Sequence, residues 1–130
     1  MKTEKFTEQD RKLVLEKLER IQKVKLISVK SSRKLYLDEN DLPFLIFGGG
    51  GNWHGITEKG MSELGNYQKE GAFVVVKKYK TKMDINVGSL SVFFSNKNKL
   101  VRTKSNGFQF HCVATEDGLY LARNSRFSLQ

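Results

Sequence analysis

"AFVVVKKYKTK", residues 72–82, places five apolar residues in a row ahead of four lysines. Three consecutive valines favour an extended backbone. An apolar run with no polar alternation is the pattern of a strand covered on both faces, in the middle of a sheet. On a sheet edge the same run would invite aggregation. The reading is therefore a central strand over 72–80, with lysines at the end where it turns.

Downstream, short connections separate further apolar or alternating runs. TKMD leads into a strand over 85–95, NKNK into one over 100–104, SNG into one over 108–115 and EDG into one over 119–123. Connections of that length suit hairpins, so the last five strands are expected to form an antiparallel meander. Upstream, strands are expected over 25–30, 33–37 and 44–47, the last after the turn DENDLP. Thr57 is expected to cap a second helix reaching residue 68, although Gly60 and Gly65 each cost about 1 kcal/mol relative to alanine there. At the N-terminal end, Thr7 followed by Glu8 and Asp10 predicts a helix start, with acids where the helix dipole favours them. Val14, Leu18 and Ile21 then recur on one face of a helix running to residue 24. The fold class is α+β: an N-terminal helix, a mostly antiparallel sheet and a short second helix after a Gly-rich loop. The 130 residues suit a single domain with its own core.

The formal net charge is +9, and its distribution carries the functional information. Residues 1–24 hold seven basic and five acidic side chains, residues 25–71 hold six of each, and residues 72–130 hold ten basic and three acidic. The last segment thus supplies +7 of the +9, by ten minus three. If the strands form a meander, the turns after residues 80 and 104 meet at one end of the sheet. Lys77, Lys78, Lys80, Lys82, Arg102 and Lys104 then crowd one rim with Tyr79 and Phe108, while Lys97 and Lys99 lie at the other end. Only Asp84 faces this set in the sequence between 77 and 104. Such a rim repels itself and fits a polyanion: cations neutralise phosphates, and aromatic rings stack on bases. Nucleic acid, DNA or RNA, is the expected partner.

Four glycines, Gly48 to Gly51, precede the sole tryptophan, Trp53, and His54. No Gly-Lys pair occurs, which excludes a P-loop, and neither glycine register supplies the third glycine of a dinucleotide fingerprint. The stretch is read as a strand-to-helix connection anchored by Trp53, with Trp53 and His54 as a possible loop site.

The competing functional reading is a small nuclease, His-dependent or metal-dependent, or a nuclease-associated module of a restriction or defence system. His54 and His111 with a lysine would suffice for metal-independent RNA cleavage. His111 lies in FQFHCVAT, where Phe108, Phe110, Cys112 and Ala114 alternate inward and His111 points to the other face. The acids Asp38, Glu39 and Asp41 fall in a turn and do not form the carboxylate cluster a divalent ion wants. One cysteine and two separated histidines give no zinc spacing. No cofactor is expected.

Cys112 is the sole cysteine and suits a reducing cytoplasm. The first ten residues are polar and the longest apolar run, 42–47, has six residues, so neither a secretory signal nor a membrane span is expected.

Overall fold

The computed structural model describes residues 5–29, 34–49, 53–67, 70–95, 100–103, 107–115, 118–122 and 126–128, with the backbone path alone at 53, 101–102 and from 111 onward. The architecture is α+β. One sheet contains β1 (Ile27–Ser28), β2 (Leu35–Leu37), β3 (Pro43–Gly49), β5 (Ala72–Lys78) and β6 (Met83–Ser89), in the order β1-β2-β3-β5-β6. All its pairs are antiparallel except β3 with β5, which run parallel with Phe44 opposite Ala72. A second sheet has the order β10-β9-β8-β4, from β4 (Trp53–Thr57), β8 (Gly107–Thr115), β9 (Gly118–Ala122) and β10 (Arg126–Ser128). The short β7 (Val101–Arg102) pairs with β8 as well. Three helices complete the fold: α1 (Glu8–Gln22), α2 (Glu58–Leu64) and α3 (Leu90–Ser95).

The central apolar runs explain the layering. In β3 and β5, Leu45, Phe47, Phe73 and Val75 point to one face and join Met61 and Leu64 of α2, Leu90 and Phe93 of α3, and Phe110 of β8. Phe44, Ile46, Val74 and Val76 point to the other face and meet Val14 and Leu18 of α1. Both strands are therefore buried on both sides, which is why neither shows alternation. Residues 72–76 are central, as their composition predicts. The aromatic centre is tight, with Phe73 stacked on Phe93 at 4.4 Å between ring centroids and Phe47 edge-on to Phe110 at 5.0 Å.

α1 starts as its sequence predicts. The Thr7 hydroxyl accepts from the Asp10 amide, and the Asp10 carboxylate accepts from the Thr7 amide, forming a capping box. It ends at Gln22, two residues short of the expected limit, with Lys23 left-handed and Glu19 accepting from the Leu26 amide at 2.8 Å. The turn 38–42 joins β2 to β3 around Asp38, whose Oδ1 accepts from the Asn40 and Leu42 amides at 2.8 and 2.9 Å. Thr57 caps α2 by accepting from the Gly60 amide at 2.9 Å, but the helix closes at Leu64 and not at residue 68.

The largest correction concerns 85–95. The strand ends at Ser89 and the chain becomes α3, because Leu90 and Phe93 reach one core at helical spacing and the Ser89 hydroxyl accepts from the Val92 amide at 3.3 Å. The expected five-strand meander is thereby divided. β5 and β6 belong to the first sheet, and β7 to β10 belong to the second. Two upstream strands are also shorter than expected, at 27–28 and 35–37. No helix among the described residues is long and apolar enough to cross a membrane.

Candidate nucleic-acid interface

The lysine-rich end of β5 is a tight hairpin. The ladder to β6 pairs Lys77 with Asp84 and Lys78 with Met83, and beyond it the Tyr79 amide donates to the Lys82 carbonyl at 2.8 Å. Only Lys80 and Thr81 lie between those two residues, so the turn has little freedom. Tyr79, Lys80 and Lys82 are exposed at the tip. The Lys82 ammonium sits over the Tyr79 ring, 5.3 Å from its centroid, a cation-π arrangement.

Root and tip of the hairpin differ electrostatically. Lys78 is half-buried and paired with Asp10 at 2.6 Å, and its ammonium also donates to the Lys5 carbonyl at 2.9 Å. Asp10 responds: the Lys78 hydrogen bond, followed by that of the Thr7 amide, holds its carboxyl below the ordinary value of 3.8. Lys77 stands opposite Asp84 in register. Lys82 approaches Asp84 at 3.7 Å, with both side chains well exposed, so this pair is weak. Lys78 thus serves the fold, and Lys80 and Lys82 are presented outward at the tip.

Of the other residues expected at this rim, Arg102 and Phe108 are among those described. Arg102 lies on β7, opposite Phe108 of β8, in the second sheet, and Lys104 lies outside the described residues together with Lys97 and Lys99. Because α3 follows β6, the β5–β6 hairpin and Arg102 belong to different sheets. Phe108 packs against the core. Sequence reasoning also passed over Lys34, whose ammonium donates to the Gly55 carbonyl and lies 5.0 Å from the Phe47 ring centroid, joining β4 to the first sheet.

The first two glycines of the stretch belong to a strand. Gly48 and Gly49 close β3, and residues 50–52 lie outside the described chain. A Cβ on Gly48 would meet the Phe6 ring at 2.6 Å, and Gly49 has a φ of +151°, a conformation that side chains resist. Trp53 and His54 belong to strand β4 and not to a loop, with their backbones opposite His111 and Phe110. The Trp53 side chain, expected as an anchor, lies outside what is described, as do those of His111 and Cys112. The His54 ring lies 5.6 Å from Phe47 and 5.8 Å from Phe110, against core aromatics.

Two of the acids of 38–41, Asp38 and Glu39, are committed to the fold. Asp38 is buried and satisfied by its own turn, and Glu39 accepts from the Lys25 amide at 3.0 Å, which holds its carboxyl below the usual range. Among the described residues no three His, Cys, Asp or Glu side chains gather as a metal site would require. Comparison with protein-family models, with curated proteins and with solved structures returns no match.

Proposed function

We propose that the chain binds nucleic acid through the tip of the β5–β6 hairpin. The observation that carries this reading is the pair of exposed cations, Lys80 and Lys82, held beside an exposed Tyr79 on a turn closed by one backbone hydrogen bond. The excess of +7 in residues 72–130 supports it, because a field of that sign draws polyanions toward this part of the molecule. Arg102 and Lys104 extend the surface in this reading only insofar as the second sheet brings them toward the same ligand. A cytoplasmic site of action accompanies it.

The test is titration of a labelled oligonucleotide at two salt concentrations, with the strand recovered on a gel. Binding is expected to weaken as salt rises, since each neutralised phosphate releases counterions. The double variant Lys80→Gln/Lys82→Gln is expected to lower the slope of log affinity against log salt by about 2. An unchanged slope places the interface elsewhere. A shortened strand makes the protein a nuclease.

A further inference from the structure

Resting on the nucleic-acid reading above, we propose that Tyr79 makes the hairpin tip a site for an unpaired base, so that the chain prefers single-stranded to double-stranded nucleic acid. Among the described aromatic side chains Tyr79 is the one that is exposed, while Phe6, Tyr67, Phe94 and Phe108 are partly buried. Phe44, Phe47, Phe73, Phe93 and Phe110 are at most 4% exposed, whereas Tyr79 is 41% exposed. A ring of that size standing in water at a turn adds nothing to the core. The backbone that carries it is held, because the Tyr79 amide is bonded to the Lys82 carbonyl and the adjacent Lys78 is tied to Asp10 and to the Lys5 carbonyl.

The chemistry of the tip matches one nucleotide. The Lys82 ammonium lies over the ring at 5.3 Å, and Lys80 is exposed one residue along. An aromatic platform with cations beside it is what a base and its flanking phosphates require. In a duplex both faces of each base are covered by neighbours, so the ring gains a partner there only if a step is unstacked. A single strand offers its bases without that cost. The phosphate contacts, by contrast, are open to both forms.

Four titrations separate these contributions by fluorescence anisotropy: an oligothymidylate of about 16 nucleotides, an abasic strand of the same length, the corresponding duplex, and the oligothymidylate at raised salt. The full chain is expected to bind oligothymidylate about tenfold more tightly than the abasic strand or the duplex, the ratio one stacked base provides. Tyr79→Leu, which keeps an apolar side chain at the tip, is expected to bring the affinity for oligothymidylate down to that for the abasic strand. Tyr79→Trp is expected to restore it. Equal binding of all strands by the unaltered protein overturns the stacking role and leaves the nucleic-acid reading standing. Parallel weakening of oligothymidylate and abasic strand by Tyr79→Leu also overturns it, since the ring would then be shaping the turn. No binding to any strand at low salt overturns the nucleic-acid reading itself.

Discussion

Asp10 joins two distant parts of the chain. Its carboxylate closes the capping box of α1 and accepts from Lys78, 68 positions away, at the root of the β5–β6 hairpin. Asp10→Asn removes the charge from both partnerships and is expected to cost about 1–2 kcal/mol. In a thermal melt at neutral pH that is a midpoint roughly 5 °C lower. The pH dependence has a definite sign. Asp10 titrates below 3.8 in the folded protein, so its contribution is complete above that value and is lost as pH falls through the folded pKa. The gap between the two proteins should be constant through neutral pH and narrow below about pH 4; a gap that widens in acid would contradict the assignment. The lysines at the tip were legible as a cluster in the sequence. The division of labour among them was not, because nothing local distinguishes Lys78, which Asp10 claims, from Lys80, which faces solvent.

Among the elements, β3 and β5 were the most legible and α3 the least. PFLIF and AFVVV are continuous apolar runs because both faces of each strand are covered, and a strand with one face in water would alternate instead. LSVFFS is also mainly apolar, but six residues are too few for a period to declare itself, and only the Ser89 cap hints at a helix. His54 was misplaced for a related reason: four glycines read as a loop, while two of them close a strand and the next described residues begin another. The parallel pairing of β3 and β5 also depends on one small residue. A Cβ on Gly71, just before β5, would collide with the Pro43 carbonyl and lie 2.8 Å from the Pro43 ring at the start of β3. The obstruction includes backbone and has no flexible end to move aside. Gly71→Ala is expected to destabilise by about 1–3 kcal/mol, the range for overpacked sites, with a lower urea midpoint and an unchanged m-value.

For the whole molecule, the net charge of +9 acts in opposite directions on stability and on binding. Raising ionic strength from about 0.01 M to 0.15 M shortens the screening length from about 30 Å to about 8 Å. Self-repulsion is relieved, so the melting midpoint should rise, while oligonucleotide affinity falls as counterion release loses its advantage. Measured in the same buffers, two curves that move together would show that charge does not govern one of the two. The partition of charge among segments was legible in the sequence. Its disposition in space was not, since whether Arg102 adjoins Lys82 depends on which sheet β7 joins, and that choice is made by α3 and β8. The parallel pair has a further consequence during synthesis. β3 waits for a neighbour that is encoded after β4 and α2, so a growing chain carries Phe44–Phe47 with one flank uncovered until residues 72–78 have left the ribosome. The apolar centre of the protein thus cannot begin to close before Phe73 and Val75 are made, and Phe93 and Phe110 join it later still.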